Sequence, residues 1–194
     1  KIIEYFENQS VSEFSVAQPI GKNPKRDIKI SLIVSNVPTA GVLDIANEKG
    51  IPTLLINKTE FAATGYVESL HNADIQFIVL AGFLWKVPEI LVRAYQPGMK
   101  IDNALVNGKE NVSKGIINIH PALLPKYGGK GMYGHFVHEA ALEAYKRGEI
   151  THSAVTMHFV TEKYDEGPVF FVCNVPILPN DTGETLGKRV NQAE

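Results

Sequence analysis

Strands that alternate with helices along this chain predict an α/β fold: a doubly wound, mostly parallel sheet of the Rossmann-like kind. Three observations carry this. Nearly continuous apolar runs at 28–34 (IKISLIV), 75–81 (IQFIVLA) and 115–119 (GIINI) have the pattern of strands buried on both faces. Segments with helical character, 40–48 and 88–95, lie between them. Two strand-like runs, 154–160 and 169–175, are joined by Asp165-Glu166-Gly167-Pro168, a turn that predicts an antiparallel edge at the C-terminal side.

The remaining elements follow in order. Gly50 ends the helix of 40–48, and 51–56 reads as a second short strand. Residues 65–70 are weakly helical, and Gly82 stops the strand of 75–81. Pro88 stands in the first turn of the next helix. The strand of 115–119 ends at Pro121, and 137–145 is an alanine-rich helix. Two polar stretches, 8–26 and 96–114, read as surface excursions, which at this length are functional or mobile. Residues 1–8 resemble the tail of a helix with no strand before it, so the opening strand of the sheet is expected to be missing.

Composition narrows the function. The chain has 194 residues, 44% apolar and 21% charged, enough for one domain with a substantial core. A net charge of -2 gives no reason to expect nucleic acid or an acidic membrane as partner. No apolar run approaches the ~20 residues needed to cross a bilayer. Cys173 is the single cysteine, so no internal disulfide forms and a cytoplasmic role on small molecules is expected.

The chemistry-bearing residues gather at strand ends. Asn118 and His120 are two apart, so strand alternation puts both side chains on one face. They lie at the C-terminal end of a parallel strand, where open α/β sheets place their sites. An amide and an imidazole suit the oxyanion formed when an amine attacks a carbonyl; equally, such a pair can satisfy loop backbone. Asp165 is either a turn aspartate or a carboxylate that pairs with an imidazole and raises its pKa. His135 and His138 are three apart, but no CxxC or HExxH spacing accompanies them, and no metal is expected. His158 is expected to be bonded or solvated within its strand. The glycine-rich segment from Tyr127 to Gly134 could cradle an anion at a helix start or serve as a flap beside the site. The only tryptophan, Trp85, follows Gly82-Phe83-Leu84, where a flat ligand could lie or where a helix entry is stapled.

The run Ile117-Asn118-Ile119-His120-Pro121-Ala122-Leu123-Leu124-Pro125-Lys126-Tyr127 resembles the signature of the folate-dependent formyltransferases. Ser35-Asn36 with Ala40-Gly41-Val42-Leu43, Gly50-Ile51-Pro52-Thr53, Val79-Leu80-Ala81-Gly82-Phe83, and the stretch from Thr156 through Pro168 are similar to the same family, over about 28–194 apart from 96–114. The resemblance implies a formyltransferase fold and transfer of a formyl group from 10-formyltetrahydrofolate, as co-substrate, to the amine of glycinamide ribonucleotide in de novo purine biosynthesis. It implies that Asn118 and His120 hold the formyl oxygen, with His120 as general acid, and that Asp165 keeps His120 charged. By the same resemblance Leu84, Trp85, Lys86, Val87, Asn118, Val160, Thr161, Glu162, Lys163, Tyr164 and Asp165 would bind the folate. Pro121, Asn191, Gln192, Ala193 and Glu194 would contact the ribonucleotide, Glu194 at the ribose. The small-molecule substrates would be the partners of a monomer or homodimer.

This chain also departs from the family. The opening strand and the glycine- and serine-rich phosphate loop are absent, and Ala62-Ala63-Thr64 stand where a basic residue is often found. The expectation is one formyltransferase domain over 1–194, cut short at both ends, that binds ribonucleotide poorly. Formyltetrahydrofolate hydrolase, methionyl-tRNA formyltransferase and a non-catalytic folate-binding module are the alternatives.

Overall fold

The computed structural model describes residues 28–96 and 114–194, which fall in two units, 1–60 and 61–194. The excursion at 8–26, the interior of that at 96–114, and the helix tail of 1–8 lie outside the described residues, as does any strand before 28.

The first unit holds a strand-helix-strand motif: β1 (Ile33–Ser35), α1 (Gly41–Glu48) and β2 (Thr53–Leu55). The strands are parallel, with Ile33 opposite Thr53 and Ser35 opposite Leu55. Each strand is shorter than its apolar run because strand character follows ladder hydrogen bonds, and β1 and β2 share only three aligned residues. Gly50, at φ 63°, carries the chain out of α1, with its N–H on the Asn47 carbonyl at 3.1 Å. The short α2 (Lys58–Phe61) runs across the boundary between the units.

The second unit is built on a four-stranded sheet in the order β3 (Phe77–Leu80), β4 (Gly115–His120), β5 (His152–Phe159), β6 (Val169–Pro176). β3 and β4 are parallel; β4–β5 and β5–β6 are antiparallel. The antiparallel edge thus begins one ladder earlier than the β5–β6 hairpin alone requires. The helices are α3 (Thr64–Asn72), α4 (Glu89–Ala94), α5 (His135–Lys146) and α6 (Gly183–Ala193). Pro88 caps α4 from outside instead of standing in its first turn.

β5 is buried along most of its length, since it lies between two neighbours and under helices. Leu142 of α5, Val155 of β5, Val175 of β6 and Leu186 and Val190 of α6 form one core cluster. A second cluster joins Ala122, Tyr127, Val137 and Ala144. Burying side chains of this size contributes about 1.5–3 kcal/mol each.

α6 is not among the elements expected from the sequence. Its start is a reciprocal cap, with the Thr185 N–H on Thr182 Oγ1 at 3.2 Å and the Thr182 N–H on Thr185 Oγ1 at 2.9 Å. Threonine replaces the usual Glu or Gln partner, which hides the cap in the sequence. The helix is then fastened to the end of β6. Arg189 makes a two-pronged ion pair with the half-buried Asp181, at 2.6 and 2.8 Å, and also donates to the Pro176 carbonyl at 2.9 Å. Arg189 holds the Asp181 carboxyl far below its ordinary value of 3.8.

The sign of the pH effect follows. A depressed carboxyl stabilises the fold above its ordinary pKa, and that stabilisation is lost as pH falls through the folded value. Asp181→Asn is expected to cost about 2 kcal/mol in urea unfolding at neutral pH. The gap to the parent protein should hold steady above pH 3.8 and close below it.

Candidate active site

The site is built on the last residues of β4. Gly115 to His120 alternate, so Asn118 and His120 project on one side while Ile119 packs against the core cluster of β5, β6 and α6. The antiparallel register sets Asn118 opposite His158 and His120 opposite Thr156. Thr156 Oγ1 donates to the Ala122 carbonyl at 2.7 Å and pins the chain where it leaves β4.

His120 is 3% exposed. Its Nε2 lies 2.7 Å from the Tyr127 carbonyl, which can only accept, so the proton sits on Nε2. Nδ1 then faces Asp165 Oδ2 at 3.9 Å. Burial pushes the His120 pKa below 6.5; Asp165 and the Tyr127 carbonyl pull it back only in part, and His158 adds to the lowering. Burial thus opposes the charge that Asp165 was expected to hold on His120. Burial favours the neutral imidazole, whose Nδ1 is then a proton acceptor.

Asp165 follows β5 with a φ of 54°, a left-handed conformation in which non-glycine residues are uncommon. Its Oδ2 accepts the Gly129 N–H at 2.9 Å, and its Oδ1 lies 3.6 Å from His158 Nε2. Burial works to raise the carboxyl, and the two imidazoles with the Gly129 N–H outweigh it, so Asp165 stays below its ordinary range and ionised. The glycine before Gly129 makes this contact possible. A Cβ on Gly128 would come within 2.6 Å of Leu124 Cδ2 and 2.9 Å of Asp165 Cβ.

These residues share one wall of a cavity of about 760 Å³ within the second unit. Leu84, Trp85, Lys86 and Val87 line it from the β3–α4 connection, and Val160, Thr161, Glu162, Lys163, Tyr164 and Asp165 from the loop after β5. Pro121 lines it, as do Asn191 of α6 and Glu194, the residue that caps its C-terminal end. Gln192 and Ala193 do not. Successive helix positions turn by 100°, so 191 and 194 share a face from which 192 and 193 point away.

Phe61, Phe83 and Trp85 form an aromatic cluster with centroids 5.3 to 6.2 Å apart, and the Trp85 segment also faces the cavity. The glycine-rich stretch lines the cavity through Lys130, Gly131, Met132, Tyr133 and Gly134. The strand alternation reading undervalued His158, which is 2% exposed and bonded to Asn118. His138 lines the cavity as well; burial lowers its pKa, with His120 adding to the effect, and its Nδ1 has no hydrogen-bond partner. Among the described residues, no group of three or more His, Cys, Asp or Glu could hold a metal ion.

The electrostatics predict a titration. The His120 resonance should move with a midpoint below 6.5, and Asp165→Asn should lower it further, because the carboxylate is the strongest group favouring the cation. An NMR titration reads both; an Asp165→Asn variant with the parent midpoint would show that the two side chains do not interact.

The sequence pattern of the formyl transferase family matches residues 11–194. The chloroplastic phosphoribosylglycinamide formyltransferase of Arabidopsis thaliana is 36% identical over 171 residues, 85% of this chain and 51% of that protein. The trifunctional purine biosynthetic protein adenosine-3 of Homo sapiens is 31% identical over 178 residues, 89% of this chain and 15% of that one. Among solved structures, the phosphoribosylglycinamide formyltransferase of Anaplasma phagocytophilum superposes with a TM-score of 0.64 at 31% identity, over 85% of this chain and 66% of that chain. That of Coxiella burnetii gives 0.62 at 34%, over 86% and 69%. The chain spans about half the length of the plant relatives it matches. With a family pattern that runs through the β4 motif and the loop carrying Asp165, the chain belongs to the formyl transferase family.

Proposed function

We propose that this chain transfers a formyl group from 10-formyltetrahydrofolate to the amine of glycinamide ribonucleotide, in purine biosynthesis. The observation that carries the reading is the convergence of Asn118, His120 and Asp165 on one cavity wall, between an aromatic segment and the end of α6. The relatives named above bear names of this activity. The folate lies between residues 84–87 and 160–165, and the ribonucleotide along Pro121, Asn191 and Glu194. Gln192 and Ala193 take no part in this version. The single cysteine suits a cytosolic setting, although the plant relatives are chloroplastic by name.

The chemistry follows from the resting charges. The neutral amine attacks the formyl carbon; a C–N bond forms and the carbonyl electron pair moves to oxygen. The Asn118 N–H stabilises that oxyanion, an effect of about 10²–10³ in rate for one donor. His120, neutral through burial, accepts the amine proton at Nδ1, and Asp165 stabilises the imidazolium so formed. The same proton goes to the folate nitrogen as its bond to the formyl carbon breaks. His120 is thus base first and acid second, which refines the general-acid role implied by the family resemblance.

Full-length protein mixed with 10-formyltetrahydrofolate and glycinamide ribonucleotide should release tetrahydrofolate at a rate that depends on the ribonucleotide. Release into water alone would mean a hydrolase, and folate binding without turnover a non-catalytic module. His120→Ala should lower kcat by about 10²–10⁴ and leave folate affinity nearly intact; near-normal turnover would remove His120 from the mechanism. Because the neutral imidazole is the competent form, kcat/KM should hold down to pH 6.5 and fall below it.

A further inference from the structure

Asn118 has a part in the proposed reaction only if it presents an N–H to the reacting oxygen. A primary amide turned by 180° about its last bond occupies the same space with its oxygen in place of its NH₂. In that orientation the carbonyl oxygen would face the oxyanion and repel it. Something on the protein has to choose between the two.

We infer that His158 is a positioning residue whose tautomer fixes the Asn118 amide with its NH₂ group toward the imidazole and its second N–H free for the formyl oxygen. The inference rests on the reading of formyl transfer given above. The chain of bonds begins at backbone. The Phe159 carbonyl lies 3.0 Å from His158 Nδ1 and can only accept, so Nδ1 carries the proton. Nε2 of the neutral ring is then an acceptor, and Asn118 Nδ2 donates to it at 3.1 Å. A turned amide would set two acceptors against each other in a place where His158 is 2% exposed and water does not compete. The β4–β5 register holds the two residues directly opposite, so the pairing needs no adjustment of either strand.

One group pulls the other way. Asp165 Oδ1 lies 3.6 Å from His158 Nε2 and would bind a proton placed there. That proton would turn Asn118 oxygen-first and remove the donor. Asp165 is drawn off by the Gly129 N–H at 2.9 Å. The Phe159 carbonyl keeps the His158 proton on the far nitrogen.

Two substitutions separate the nitrogens. His158→Gln can place an amide oxygen where Nε2 stood and keep the acceptor for Asn118. His158→Asn reaches only the Nδ1 position and loses it. His158→Asn should lower kcat by about 10- to 100-fold with KM for the formyl donor nearly unchanged, and His158→Gln should restore most of the loss. In an Asn118→Ala background, His158→Asn should cost nothing further. Long-range ¹H–¹⁵N spectra of the parent protein should show His158 protonated on Nδ1. A proton on Nε2, equal losses in both variants, or losses that add to that of Asn118→Ala would overturn the inference. Should the parent protein show no transfer, the reading of function falls separately. The inference is then decided by the Asn118 side-chain NH₂ signals, which should move in His158→Asn and not in His158→Gln; equal movement in both rejects it.

Discussion

The antiparallel ladder between β4 and β5 aligns Asn118 with His158 and His120 with Thr156, and the site is organised around that alignment. A slip of one residue would send Asn118 and His120 to the opposite face and pull Ile119 out of its packing against the core. The register is secured on both sides. Ile119 is held in the core with Val155 and Val175, and the Thr156 hydroxyl ties the exit of β4 through the Ala122 carbonyl. Packing therefore decides geometry, and geometry decides which atoms of the two histidines can bond.

Backbone carbonyls settle the proton positions. Tyr127 takes the Nε2 proton of His120, and Phe159 takes the Nδ1 proton of His158. Each histidine is left with one bare nitrogen aimed at a defined partner: Nδ1 of His120 toward Asp165, and Nε2 of His158 toward Asn118. Burial outweighs the carboxylate at His120, so one charge, that of Asp165, serves both imidazoles. A buried imidazole beside a carboxylate can accept a proton during reaction without carrying a cation at rest.

Much of this was legible in the sequence, for physical reasons that differ by residue. Asn118 and His120 were placed on one face because strand period is two. The β5–β6 pair was readable from the turn at 165–168. The helix α6 was not, because its cap uses Thr185 in place of Glu or Gln and its apolar stripe is narrow, with only Leu186 and Val190 buried. The importance of His158 was hidden, since it depends on a cross-strand partner 40 positions away. The desolvation of His120 was hidden for a related cause: a sequence shows the carboxylate partner but not the burial that opposes it. The family resemblance assigned expected folate and ribonucleotide contacts in groups; of the latter, Asn191 and Glu194 line the cavity and Gln192 and Ala193 do not.

The far end of the cavity depends on how closely α6 approaches α5. A Cβ on Gly187 would stand 2.9 Å from His138 Cδ2, so the two helices meet at a distance that only glycine permits there. That contact buries His138 and turns the face of Asn191 and Glu194 toward the cavity. The Asp181–Arg189 pair fixes the same helix to the end of β6, so its position is set from two sides. Asn118 stands on β4 and His158 on β5, while β6 and α6 follow β5 in the chain. The residues expected to hold the amine substrate are thus referenced, through one hairpin, to the strands that carry Asn118, His120 and His158. Misplacing reacting groups by about 1 Å can cost 10²-fold in rate, and this shared reference limits that displacement.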